Sequence, residues 1–291
     1  MRDRNASRTF DVINTLAIVV FVMICLAPFI HIIAISLSSA RAIMSGEVSI
    51  LPVEINWGAY KQVFSDMAMI RSLGFTVMLT VLFTVFCMLM SIAAAYPLAK
   101  SKLKGRKIVM FIIVITMFFS GGIIPEYMLV RNLNLLDSIW ALVLPGLVSP
   151  FYLIILITFF QNIPDSLEES AEIDGSSYFR TLLSIIVPLS MPVIATLSLF
   201  YAVGRWNGFT DTLMYITSPD MYPLQLKLYQ LVQNNMVSEL MQAEGASGQQ
   251  LLQPESLKAA SVIFATVPIL IVYPWLQRYF VNGVMLGAVK G

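Results

Sequence analysis

The sequence is poor in charge, nearly without histidine and almost without cysteine. Only 12% of its 291 residues are Asp, Glu, Lys or Arg, against 58% that are hydrophobic, and the mean hydropathy is +0.80. That balance excludes an ordinary soluble globule, in which about a quarter of residues carry charge. With His31 as the single histidine, no Cys–His arrangement and no paired carboxylates inside an apolar run, neither a protease nor a metal site can be assembled. No catalytic residue and no metal site is therefore expected. Cys25 and Cys87 both lie inside apolar runs and offer neither a disulfide framework nor ligand spacing, so they read as small buried hydrophobes. No G-x-x-x-x-G-K-[ST] run is present, so any ATP chemistry has to come from another chain. The net charge of +1 and the gathering of basic residues at the edges of apolar runs give no reason to expect nucleic acid as a partner.

What the chain has instead is apolar length. Six runs, at about 12–37, 72–98, 108–119, 138–160, 185–216 and 259–279, predict an all-α integral membrane protein, a single transmembrane domain over 1–291 in a lipid bilayer. The first run is too long for the roughly 7–15-residue core of a cleavable signal, so it reads as an uncleaved span. His31, near its outer half, is either a proton relay or a packed histidine. The fifth run would measure about 48 Å as one helix against a core of about 30 Å, so part of it lies outside the bilayer or it bends, and Pro188 and Pro192 sit where a bend is expected. Between the runs, 38–69 reads as an external segment with a short helix near Trp57, and 123–136 as a short external helix and turn. Asp137 is placed to cap the fourth span, and 218–258 is the longest polar region.

Eleven of the eighteen basic residues fall on one side if the N-terminus is cytosolic, including Arg2, Arg4, Arg8 and the dense cluster Lys100, Lys102, Lys104, Arg106 and Lys107. The positive-inside rule then puts both termini in the cytosol. The same side receives 165–188, which is rich in acids: Asp165, Glu168, Glu169, Glu172 and Asp174 against Arg180 alone. The stretch from 166, SLEESAEIDGSSYFRTLLSIIVPLSMP, predicts a helix, a stop and a second helix. Asp165 and Glu168 have capping-box spacing at the start, and the acids suit the positive end of a helix dipole. Gly175 stands where a left-handed stop needs a residue without a Cβ. The outcome is a rigid elbow on a membrane surface, facing a basic or donor-rich partner.

Glu169-Ser170-Ala171, Asp174-Gly175 and Ile185-x-Val187-Pro188 resemble the EAA signature of ABC importer inner-membrane permeases. Ser170 stands for the usual second Ala and Val187 for the usual Leu. FSGGIIPEYMLVRNLNLLDSIWALVLPG, FYAVGRWNGFTD and the ending FVNGVMLGAVKG look like the binding-protein-dependent sugar and oligosaccharide branch, of the maltose and alginate type, and like its six-span subunit. The resemblance covers most of 118–291. It implies a permease that carries carbohydrate, with Glu168, Glu169, Ser170, Ala171, Asp174, Gly175, Ile185 and Pro188 coupling it to a separate ATPase dimer. It also implies a second, different permease chain and an external solute-binding protein. No cofactor belongs to this chain; ATP and Mg sit on the partner ATPase. Gly287 and Lys290 are implied to touch that ATPase, and the loop from Gln233 through Gly245, Gly248 and Gln250 either reaches the binding protein or is a plain external loop. Tyr201, Arg205, Trp206 and Asn207 group aromatic rings with a fork of donors in the fifth run, which suits a sugar on its path. The other reading of Arg205 is structural: it bonds carbonyls at a helix break, or Asp211 through a bend. An ion-coupled secondary transporter, or a permease for another ABC import substrate, is the alternative to the whole reading.

Overall fold

A computed structural model describes the backbone of residues 2–243 and 255–288, with side chains over 10–233, 255–272 and at 274. Among the described residues the chain is all-α. Its helices run α1 Arg2–Ser36, α2 Ala40–Met44, α3 Gly58–Ser65, α4 Met67–Ala99, α5 Arg106–Phe118, α6 Ile123–Asn132, α7 Ile139–Val143 and α8 Pro150–Gln161. They continue as α9 Asp165–Ile173, α10 Tyr178–Thr181, a π turn Leu182–Ile186, α11 Val187–Leu189, α12 Met191–Asn207, α13 Thr210–Tyr215, α14 Leu224–Ala243 and α15 Glu255–Ala288.

Among the described residues three helical stretches are long and apolar enough to cross a membrane: Phe10–Ser36, Met67–Ala99 and Glu255–Val272. Two further pairs pass only together, Arg106–Phe118 with Ile123–Asn132, bent by 117°, and Tyr178–Leu189 with Met191–Asn207, bent by 81°. The 81° bend falls at Ser190, between Pro188 and Pro192, where the sequence places it. Proline removes a donor and clashes with the carbonyl four residues back, so a helix yields there first. The 117° bend follows from Gly121-Gly122; Gly122 has φ 85°, which a residue with a Cβ resists. The run 138–160 is two helices rather than one. Pro145 and Gly146 interrupt it after α7, and α8 restarts at Pro150, a residue suited to the first helical turn. The polar region after 218 carries the 20-residue α14.

The chain divides into two compact units, Met1–Ile70 with Leu228–Val267, and Arg71–Lys227 with Pro268–Gly291. In the first, the loop after α1 is fastened back onto that helix. Ser38 Oγ donates to Ala34 O and accepts from Val53 N, Asn56 N donates to Leu37 O at 2.8 Å, and Ser36 Oγ meets Tyr60 OH at 2.8 Å. His31 Nδ1 lies 2.6 Å from Ser49 O, so the ring tethers this loop as well. In the second unit a core of Cys87, Tyr96, Leu153, Leu156, Phe160, Leu182, Ile186, Leu197 and Tyr201 ties α4 to α8, the π turn and α12.

Asp137 does not cap α7. Ser138 does so, accepting from Trp140 N, while Asp137 takes φ 55° and turns its carboxylate to Thr217 N, Ser218 N and Ser218 Oγ, the last at 2.6 Å. The reason is competition for partners: three donors at 217–218 meet the carboxylate, while Ser138 already supplies the cap. These donors, Ser218 Oγ foremost, hold the Asp137 carboxyl below its ordinary value of 3.8. The clamp is therefore complete above that value and is lost as the pH falls through the lowered one. Protection of the 217–218 amides, taken relative to the intrinsic exchange rate at each pH, should be lost only below about pH 4 in the native chain, and should already be low at neutral pH in Asp137→Ala. Equal protection in both forms at pH 7 would rule the clamp out.

Candidate functional site

The elbow is α9, a stop, α10 and the π turn. α9 begins one residue earlier than the sequence suggests: Pro164 is its N-cap with no side-chain bond, and Asp165 is already helical. The capping box expected of Asp165 and Glu168 is therefore absent, and Glu168 instead makes an ion pair with Lys100. The stop is a Schellman turn, with Ser176 N donating to Ala171 O at 2.9 Å and Gly175 N to Glu172 O at 3.0 Å. Gly175 has φ 78°, and a Cβ there would meet nothing within 4 Å, so glycine is required by conformation and not by space. Ser177 Oγ then accepts from Arg180 N and starts α10.

Ala171 and Ile186 turn inward, and Ile185 is half-buried. Glu169, Ser170, Asp174, Gly175 and Pro188 lie on the surface, beside exposed Leu167, Ile173, Tyr178 and Phe179. An exposed rim of carboxylates around large apolar side chains is a surface built to be covered.

The second candidate region is the end of α12. The helix stops at Asn207, Gly208 takes an extended conformation, and α13 restarts at Thr210. The break brings Asp211 onto Arg205, which a continuous helix would not. Arg205 Nη1 donates to Asp211 Oδ2 at 2.5 Å and Nη2 to Asp211 Oδ1 at 2.9 Å. The same two nitrogens reach Leu142 O at 3.3 Å and Gly208 O at 3.2 Å. Phe83 lies under the guanidinium, its centroid 5.7 Å from Cζ. Beside this group opens a cavity of about 360 Å³ lined by Phe83, Tyr152, Tyr201, Arg205, Phe209 and Asp211 among others. Tyr201 lines it and also pins the fold: its hydroxyl accepts from Ser149 N at 3.0 Å and shares a hydrogen bond with Ser91 Oγ at 3.2 Å.

Of the four residues grouped from sequence, Tyr201 and Arg205 thus share one cavity. Trp206 faces a different, apolar cavity of about 280 Å³, with Val77, Leu199 and Ile269. Asn207 is exposed and donates to Val203 O within its own helix. Gln233 is exposed on α14; Gly245, Gly248 and Gln250 lie outside the described residues, as does Lys290, and Gly287 falls in the last turn of α15. Lys100, Tyr96, Phe83 and Tyr152 were not singled out by sequence. Lys100 carried one signal, as the first base of the cluster that ends the second run.

Arg205 is 7% exposed, so removing it leaves two carbonyls without the fork and the half-buried Asp211 carboxylate with Thr212 N as its remaining donor. Arg205→Ala should cost about 3 kcal/mol, the lower end of the scale for breaking a buried pair, because Asp211 is partly exposed. Arg205→Lys should recover only part, since an ammonium cannot span Asp211 and both carbonyls as a fork does. Thermal unfolding of the detergent-solubilised chain reads both; an unchanged midpoint in Arg205→Ala would refute the structural share of the role.

The comparisons with known proteins agree with this architecture. The crystal structure of a bacterial ABC transporter involved in the import of the acidic polysaccharide alginate is similar at TM-score 0.85 and 30% identity, over 94% of this chain and 98% of that one. Protein LplC of Bacillus subtilis (strain 168) is 42% identical over 292 residues, 100% of this chain and 98% of its own. The polygalacturonan/rhamnogalacturonan transport system permease protein YtcP of the same organism is 42% identical over 287 residues, covering 98% of this chain and 99% of its own. The model of the binding-protein-dependent transport system inner membrane component matches residues 88–285, a stretch that holds the elbow, the Arg205–Asp211 pair and every helix break between them, and it is to this family of membrane transport permeases that the chain belongs.

Proposed function

We propose that the chain is the six-span permease subunit of an ATP-driven importer that carries oligosaccharides of acidic polysaccharides across the cytoplasmic membrane. The observation that carries the reading is the elbow: a rigid, solvent-exposed helix–stop–helix with an acidic and apolar face, in a chain whose family is binding-protein-dependent transport. Such a face suits docking to a separate ATPase, which supplies ATP, Mg and hydrolysis while this chain remains non-catalytic. Six spans follow if each bent pair counts as one crossing and α7 with α8 as another; both termini and the elbow then lie in the cytosol. A second permease chain completes the path, and an external solute-binding protein delivers the substrate.

The substrate class is supported by two relatives. One is named for polygalacturonan, a chain of galacturonic acid, and the other for the acidic polysaccharide alginate. The Arg205 cavity suits one sugar ring on that path, with Phe83, Tyr152 and Phe209 as walls and the Arg205–Asp211 pair offering both donors and acceptors to hydroxyls. The segment 233–254 is the proposed contact with the binding protein, and 287–291 with the ATPase.

Two experiments test this reading. A strain lacking the chain should fail to grow on oligogalacturonates or oligoalginates as sole carbon source and grow normally on glucose; normal growth on both acidic series would overturn the substrate class. Gly175→Val costs about 1 kcal/mol or more through its φ. It should leave the chain inserted in the membrane and cut ATP-driven uptake several-fold, and full uptake by that variant would count against the docking role.

A further inference from the structure

α9 has few anchors of its own. It is a nine-residue helix in which Ala171 is the one fully buried side chain, with exposed loops on either side. A helix so lightly held would tilt under load rather than pass the load on. What holds it is a group at the far end of α4. Lys100 Nζ pairs with Glu168 Oε2, Tyr96 OH points at the same oxygen from 3.5 Å, and Lys100 sits 4.6 Å from the Tyr96 ring centroid.

The chemistry of the two helix ends favours this arrangement. Glu168 lies in the first turn of α9, where the positive end of the helix dipole stabilises a carboxylate. Lys100 follows the last residue of α4, where the unmatched carbonyls favour a cation, and Arg106 Nε closes another of them by donating to Leu98 O at 2.7 Å. Each charge therefore suits its own helix end before the two meet. The pair is also shielded: the Lys100 and Glu168 side chains are 30% and 20% exposed, against 60–74% for three of the four side chains in the Arg41–Glu54 and Arg71–Asp220 pairs and 46% for Glu54. Exposed pairs contribute little, whereas shielding and a third partner raise the coupling. Finally, Tyr96 is buried at 8% exposure in the core that contains Leu153, Phe160, Leu182 and Tyr201. A push on Glu168 is thus delivered into packed side chains rather than into the loop 100–105.

We propose that Lys100, Glu168 and Tyr96 form a strut that makes the elbow and the C-terminal end of α4 move as one piece during transport. Lys100 and Glu168 are positioning residues: they touch no substrate and act by transferring motion. This rests on the reading of the elbow as the ATPase contact. The strut requires opposite charges at 100 and 168, and it does not require which end carries which.

The test is made on the complete importer reconstituted in proteoliposomes, with its ATPase, second permease and solute-binding protein, and with an oligogalacturonate as substrate. Uptake and binding-protein-stimulated ATP hydrolysis are read separately, per assembled complex. Lys100→Gln, which lies outside the elbow, should lower the uptake per ATP by about tenfold while hydrolysis stays within about twofold, and Glu168→Gln should lower the same ratio of uptake to hydrolysis. The exchange Lys100→Glu with Glu168→Lys should recover most of the ratio, short of all of it because each helix end then carries the charge its dipole disfavours. Single variants with a native ratio of uptake to hydrolysis would overturn the strut. So would single variants that fail, by loss of ratio or of assembly, without recovery in the exchange. A native complex without ATP-dependent uptake of any acidic oligosaccharide would overturn the underlying reading and the strut together; a native complex that transports alongside unaffected variants would sink the strut alone.

Discussion

A bilayer offers no water to a backbone amide, so every interruption of a helix at membrane depth must find its own hydrogen-bond partners. That constraint runs through the second unit. Where the chain breaks between α7 and α8, Ser149 N donates to the Tyr201 hydroxyl. Where α12 gives way to α13, the Arg205 fork takes Gly208 O, together with Leu142 O from α7. Where α14 starts, Leu224 N donates to Thr76 Oγ1 at 2.8 Å. Tyr201, Arg205 and Thr76 are the polar side chains that serve these breaks, and the breaks are what gives the transporter its bends and its cavity.

Charge is scarce enough that each buried instance has an identifiable partner. Arg205 and Asp211 neutralise one another beside the cavity, so the lining presents a dipole and not a net cation. The apolar face of α1, exposed from Phe10 to Phe29 in this chain alone, follows the same economy. A helix apolar on all sides needs lipid or another helix around it, and neither is distinguished by hydrophobicity alone.

The sequence carried the helical class, the bend at Pro188 and Pro192, and the helix–stop–helix of the elbow. Proline and glycine act locally, so Pro188, Pro192 and Gly175 could be placed without knowing any neighbour. What could not be read were choices settled by tertiary partners. Glu168 had a local option, the capping box, and a distant one, Lys100, 68 residues away in sequence; the distant one won because α9 starts at Asp165 and removes the cap. Asp137 likewise left its helix for amides 80 and 81 residues on. The run 138–160 looked continuous because its composition is apolar throughout, and composition does not record that Pro145 and Gly146 stop α7. The pairing of Arg205 with Asp211 was visible only as one of two options, since it depends on a break that periodicity hides.

The π turn Leu182–Ile186 sets a further property of the elbow. Such a turn accommodates one residue more than an α turn, and one residue corresponds to about 100° of rotation about the helix axis. Everything before it, α9 and α10 with their exposed carboxylates and aromatic rings, is thereby rotated relative to Val187 and Pro188 by an angle that no side chain chooses. The compass bearing of the elbow's exposed face is written in the residue count of that turn.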